Sequence, residues 1–240
     1  MSSLLKHANG SALVKQGNTK VLVATTIQIG QPSPDMPDHG DVVVTLHRKG
    51  PNDGSSSYNA DVLQAWLQRM LDELLPSELN VWTGKACIRL VVSVMILQDS
   101  GNVKDAALLS CMAAWRDTQL PTMDQLQEVD GKLWWKGQPT TSLDNKETSE
   151  KSKAAATMRN IRVSLTMGII QLGEERKTKF LVDPSALETG HIDGCLTVSI
   201  NLPSRTLQVE YSGSVALTAT DLALAAKIAE GRADELANIL

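Results

Sequence analysis

Two runs rich in β-branched and aliphatic residues flank Gly17-Asn18 within Gly10 to Ile29. That dipeptide reaches positive φ cheaply, so the pattern predicts a β-hairpin. Pro32, Pro34 and Pro37 interrupt the sheet pattern, and Val42 to Leu46 predicts a further short strand. A Gly/Ser/Asn/Asp loop over 50–57 precedes a helix over about 58–75, where Leu63, Leu67, Met70 and Leu74 recur at helical spacing and Pro76 marks the stop. Arg89 to Leu97 is almost continuously apolar and of strand length, which predicts a strand covered on both faces. After the turn Asp99-Ser-Gly-Asn102, Asp105 reads as the cap of a helix over 106–116 that is apolar nearly all round and therefore central.

The character changes over 122–157, where Gln, Asp, Glu, Lys, Ser and Thr dominate; 140–154 reads as a solvated loop or insertion, and Trp134-Trp135 as a loop anchor or a partner-facing apolar patch, with base stacking as the alternative. Alternation returns with Ile161, Val163, Leu165, Met167 and Ile169 on one side and Arg162, Ser164 and Thr166 on the other, the signature of a half-buried strand. Short strands are predicted over 179–183, 196–200 and 206–211. A closing helix spans about 218–238, opened by Thr218 with Asp221 in the manner of a capping box. Leu222, Ala226, Ala229, Ala233, Leu236 and Leu240 form its inner stripe. Each half thus reads as antiparallel strands followed by a helix, an α+β architecture repeated within one domain.

Composition narrows the classes without changing this picture. The chain has 240 residues, 42% apolar, with 23 basic and 27 acidic side chains giving a net charge of −4. Such a balance excludes a protein that coats nucleic acid with its whole surface, while leaving room for a local basic groove. No segment reaches the ~20 apolar residues a bilayer span needs, and the start lacks a secretory apolar region, so no membrane partner is expected. Three cysteines, an odd and sparse set, point to a reducing compartment.

Chemistry-bearing motifs are scarce. His7, His39, His47 and His191 are scattered, and none stands at zinc-ligand spacing from a cysteine. Cys87, Cys111 and Cys195 read as small buried hydrophobes. Glycine-rich phosphate loops and a Gly-x-Ser-x-Gly nucleophile turn are both missing from the sequence. No cofactor and no metal site is expected.

Several stretches, taken in order, resemble the RNase PH family and within it the ring subunits of the eukaryotic RNA exosome. They are the hairpin Gly10 to Ala24, the segment Ser33-Pro-Asp-Met-Pro-Asp-His-Gly40, the turn and helix start Asp99-Ser-Gly-Asn-Val-Lys-Asp-Ala-Ala107, and Leu181-Val-Asp-Pro-Ser185. The turn is similar to that of the non-catalytic Asp-Gly-Asn subclass. The resemblance covers residues 8 to 238. It implies an RNase PH-like α+β fold in a single domain, with halves at about 8–120 and 157–238 joined by the insertion 122–157. Because the hairpin starts so early, the family's usual leading helix and strand are expected to be missing or drastically shortened, with an incomplete gene model as the alternative.

Phosphorolytic members of that family hold inorganic phosphate with a Gly-Gly-Thr-Arg turn at a helix start, where free amides and the helix dipole favour an anion. Here the Thr-Arg pair is absent, and Asp105 is expected to place negative charge where phosphate would sit. Lys104 reads as a surface lysine. The family's two carboxylates lie six positions apart; Asp183 matches the first, Thr189 replaces the second, and Glu188 is one residue early on an extended segment. Losing either part removes several kcal/mol of transition-state stabilisation, on the order of a hundredfold in rate. The resemblance therefore implies a non-catalytic subunit of a hetero-hexameric exosome ring, with RNA-binding cap proteins, a processive exoribonuclease and RNA as partners, in nucleus, nucleolus and cytoplasm. Arg48 and Lys49, with Lys85 and Arg89, are the candidate RNA contacts. Two alternatives stand beside it: an active phosphate-dependent exoribonuclease using Lys104, Asp183 and Glu188, and a scaffold that has left RNA metabolism.

Overall fold

The computed structural model of the chain describes residues 4–48, 58–74, 79–118, 120, 126–129, 132–135, 161–172, 177–202 and 204–237. The predicted hairpin forms strands β1 (Gly10–Gln16) and β2 (Thr19–Gly30), with Gly17 at φ +56° in the turn. Strand β3 (Asp41–Arg48) follows, then helix α1 (Ala60–Asp72), strands β4 (Asn80–Trp82) and β5 (Ala86–Gln98), and helix α2 (Val103–Asp117). A small hairpin of β6 (Leu126–Val129) and β7 (Lys132–Trp135) lies in the polar connecting stretch and takes in Trp134 and Trp135. The predicted loop 140–154 falls outside the described residues. The second half comprises β8 (Arg162–Leu172), β9 (Lys177–Val182), the single turn α3 (Ala186–Thr189), β10 (Gly194–Asn201), β11 (Thr206–Gly213) and α4 (Ala219–Ala237).

The first sheet has the order β1-β2-β5-β3 with β4 appended to β5, and the second β11-β10-β8-β9. Antiparallel pairing holds except between β3 and β5, which run parallel. α1 and α2 pack against the first sheet on the side of Val21, Val23, Val42, Val44, Leu90, Val92 and Val94. α1 does so with Leu63, Trp66, Leu67, Met70 and Leu71, one stripe at helical spacing, and the Asn59 side chain caps its start. Burying each such side chain stabilises the fold by roughly 1.5–3 kcal/mol. β5 is covered on one face only: Arg89 and Met95 on the other face are exposed, and Val91 and Ser93 half-buried. Its continuous apolar run reads as two-sided burial, whereas packing uses every second residue.

α2 is central, as its apolar composition predicts, with ten buried residues. It begins three residues earlier than expected: Asn102, in the left-handed region (φ 45°), takes the cap position, and Asp105 sits inside the first turn. The second sheet turns Val163, Leu165, Met167, Leu196, Val198 and Ile200 toward Ala225, Ala229 and Ala233 of α4. Thr218 and Asp221 form the expected reciprocal cap, their amides and side chains bonding at 2.9 and 3.2 Å. The inner stripe of α4 holds at Ala229, Ala233 and Leu236 and differs only in its first turns, where Ala225 is buried while Ala226 is half-buried and Leu222 is exposed.

The opposite face of the second sheet corrects the sequence reading. Ser164, Thr166, Thr197 and Ser199 are all buried, so β8 is covered on both faces. The polar row faces α2, and one α2 carboxylate supplies partners to Ser164 and Thr166. The layer order is sheet, helix pair, sheet, helix.

Candidate functional site

The end of β5, the start of α2 and the end of β9 meet at one place. Thr19 organises the turn between β5 and α2: its hydroxyl donates to the Gly101 carbonyl (2.7 Å) and accepts from the Ser100 amide (3.1 Å). Gly101 stands at φ +111°, where a Cβ would meet the Ala186 nitrogen at 2.4 Å and the Ser185 carbonyl carbon at 2.6 Å. Only glycine lets α3 lie this close, and the Ala186 amide donates to the Ser100 carbonyl at 2.9 Å. The turn is therefore closed by backbone of the second half.

Asp183 leaves β9 in the left-handed region (φ 57°), its own amide bonded to Thr166 O. Its Oδ1 accepts from Asn102 Nδ2 (2.7 Å) and from Gln16 Nε2 (2.8 Å). The same Asn102 nitrogen donates to Asp105 Oδ2 at 2.8 Å, so one amide bridges two carboxylates. Asn102 gives α2 no side-chain cap bond, because its amide is directed to these partners.

Asp105 is only 5% exposed and points away from the turn's outer surface, into the second sheet. Its Oδ1 accepts from Ser164 Oγ (2.7 Å) and Thr166 Oγ1 (2.9 Å), and its Oδ2 also accepts from the Thr166 amide (2.6 Å). This corrects the expectation that its charge occupies a phosphate position: the carboxylate is an internal bridge between α2 and β8. Burial pushes its pKa up, opposed by these hydrogen bonds.

Lys104 is not a surface lysine. Its Nζ donates to Glu210 Oε2 (2.8 Å), lies 3.4 Å from Thr197 Oγ1 and stands 4.4 Å above the centre of the Trp66 ring. Glu210 in turn accepts from Trp66 Nε1 (2.9 Å) and pairs with Arg69. Desolvation lowers the Lys104 pKa. A cation one residue from the turn is thus held between α1 and β11, and this cluster, with Arg162 paired to Glu73 at 2.5 Å, ties the two halves together. The sequence reading missed Glu210, Trp66, Arg69 and Gln16, which lie far from the turn in sequence.

Glu188 and Thr189 belong to α3, not to an extended segment. The Glu188 carboxylate folds back on the Ser185 amide (2.8 Å) and hydroxyl (2.7 Å), which lowers its pKa, and Ser185 Oγ returns a bond to the Glu188 amide. Thr189 donates its hydroxyl to the Ser185 carbonyl at 2.8 Å. This turn is a complete capping box. Among the described residues, no three His, Cys, Asp or Glu side chains are grouped to hold a metal ion.

The basic candidates fall at opposite ends of the first sheet. Arg48 ends β3 beside Ile96 in the parallel register, near the turn that follows Gln98; Lys49 lies outside the described residues. Arg89 and Lys85 sit at the start of β5, whose 13 residues span roughly 40 Å. Arg89 Nε donates to Asp41 Oδ2 at 2.6 Å, and Lys85 lies 4.1 Å over the Trp82 ring.

Two halves of sheet and helix, with a β5–α2 turn closed by the β9–α3 connection, define a recognisable class. The model of the 3' exoribonuclease family, domain 1, matches residues 1–121. Among curated relatives, the exosome complex component Rrp42 of Archaeoglobus fulgidus is 28% identical over 224 residues, covering 90% of this chain and 75% of its own length. The Methanopyrus kandleri Rrp42 is 27% identical over 210 residues, covering 83% and 69%. Among solved structures, a chain of the Archaeoglobus fulgidus exosome with RNA bound to the active site superposes with a TM-score of 0.72 at 25% identity, over 99% of this chain and 85% of that one. Rice Rrp46, at 14% identity and a TM-score of 0.65 over 99% and 89%, shares the fold. The chain belongs to the 3' exoribonuclease, or RNase PH, family and has its two-sheet α+β fold.

Proposed function

We propose that the chain is a structural, non-catalytic subunit of an exosome ring, supporting 3'-to-5' RNA processing and degradation by partner nucleases. The similarity to Rrp42 over most of both chains supports membership of the complex. The observation that carries the non-catalytic part is α3. Thr189, six positions after Asp183, has its hydroxyl bonded to backbone, and Glu188 is turned back onto Ser185, while the carboxylate that Asn102 joins to Asp183, that of Asp105, is held by β8. An active phosphorolytic site would need Lys104 and Glu188, and both are engaged elsewhere.

In this role the chain contributes surface to neighbouring RNase PH-type subunits and a wall to the RNA path, beneath RNA-binding cap proteins and beside a processive nuclease. Arg48, at the site end of the first sheet, and Lys49, which follows it in sequence, are its proposed phosphate contacts; nucleus, nucleolus and cytoplasm are the proposed locations. Affinity purification of the tagged chain under native conditions tests the reading. Co-purification of other RNase PH-type subunits in stoichiometric amounts is expected. A chain that elutes as a lone monomer while an otherwise complete ring forms without it would overturn the proposal.

A further inference from the structure

The two sheets have four outer edges, and three are closed or guarded. At β3, Gln68 Oε1 accepts from the Val44 amide (2.8 Å), its Nε2 donates to Val42 O (2.6 Å), and Gln64 accepts from the Leu46 amide (3.2 Å). Two α1 side chains, one turn apart, thus stand in for a neighbouring strand. At β1 the Ser11 amide is taken by Asp117 of α2 at 3.0 Å. β9 is short and carries the exposed Lys179, the kind of charge that natural edges use against pairing.

β11 has none of these devices. The Leu202 amide bonds to Ile161 O, so even-numbered residues of β10 face β8 and odd-numbered ones face β11. With Thr197 opposite Glu210, the even residues of β11 face β10, and Leu207, Val209 and Tyr211 direct their N–H and C=O groups outward. Among the described residues nothing pairs with them. The side chains of these residues lie on the α4 side of the sheet, yet α4 packs over β10 and β8 and leaves them 37%, 48% and 38% exposed. Tyr211 is fixed in place, its hydroxyl bonded to both the Val215 amide and carbonyl.

We propose that the outer edge of β11 receives an extended strand from a neighbouring RNase PH-type subunit, continuing the second sheet across the subunit boundary. A row of peptide donors and acceptors at strand spacing is complementary to another extended backbone, and the alternating Leu, Val and Tyr supply the apolar contacts of strand addition. The neighbour's identity rests on the exosome reading; the strand geometry does not.

Two measurements on the full chain test this. A photoreactive residue at position 209, irradiated in the purified assembly, is expected to give one adduct, to an RNase PH-type chain. Val209→Pro removes only an outward amide, so it is expected to keep the thermal midpoint and lower subunit capture at least tenfold; Val209→Lys, which guards the edge without touching the backbone, is expected to do the same. Co-purified ring subunits with no adduct at 209, or with an adduct to RNA, to a second copy or to another class of protein, would overturn the strand assignment and leave the exosome reading standing. Undiminished capture by folded Val209→Lys would also overturn it. Absence of ring subunits altogether would remove both.

Discussion

Replacing Asp105 by alanine is expected to lower the unfolding free energy by about 4 kcal/mol, seen as a shift of the urea midpoint at constant slope. The substitution leaves the Thr166 amide and the Ser164 hydroxyl without their partner in a buried interface between α2 and β8, and takes one partner each from the Thr166 hydroxyl and the Asn102 amide. Asp105→Asn is expected to recover most of that loss. Its oxygen can replace Oδ2 toward the two amide donors, and its NH2 can donate to the Ser164 and Thr166 hydroxyls, which accept as readily as they donate. The pair of variants also separates charge from shape. Burial raises the Asp105 pKa in the folded state, so the linked stability is complete below the unfolded value near 3.8 and is lost as pH rises through the folded value. Wild type is therefore expected to lose stability relative to Asp105→Asn as pH increases from 3.5 upward. An unchanged difference across that range would show that the carboxylate is not buried as described.

Gly101→Ala is expected to cost about 3 kcal/mol, because φ +111° is strained for any residue with a Cβ and that atom would strike the Ser185–Ala186 backbone. Neither segment can yield alone: Ala186 is hydrogen-bonded to Ser100, and the turn is fixed by Thr19. Hydrogen exchange at the Ala186 amide should rise with the loss of stability. Gly17 is the control. It too has positive φ, but open space surrounds it, and Gly17→Asn is expected to change stability by less than about 0.5 kcal/mol. Equal effects at the two glycines would mean that α3 does not rest on the turn.

Much of the fold was legible because local pattern and packing agree. Gly17-Asn18 between two β-prone runs gives a hairpin, the all-round apolar 106–116 gives a central helix, and Thr218 with Asp221 gives a cap. Two of the failures share one cause. Ser164 and Thr166 read as solvent-facing because polarity in a strand signals water unless a buried partner exists, and that partner, Asp105, lies about 60 residues away. Lys104 read as a surface charge for the same reason, since Glu210 and Trp66 are remote in sequence. The parallel pairing of β3 left no local signature, and α3, a single turn, is too short for periodicity to reveal. At the candidate site, the residue types at 101–105 and Thr189 at six positions after Asp183 are given by the sequence directly. Where the remaining polar groups go is not.

In physical terms, groups surrounding the β5–α2 turn are joined to one another across the two halves of the domain: Asn102 and Gln16 to Asp183, Asp105 to β8, and Lys104 to Glu210. We propose that these groups, so engaged, carry no phosphate-dependent cleavage. This is tested most directly by incubating end-labelled RNA with the purified assembly, its partner nucleases inactivated by substitution, in the presence and absence of inorganic phosphate and magnesium. The account predicts no phosphate-dependent release of nucleoside diphosphate. Release that depends on phosphate and disappears with Asp183→Ala in this chain would contradict it.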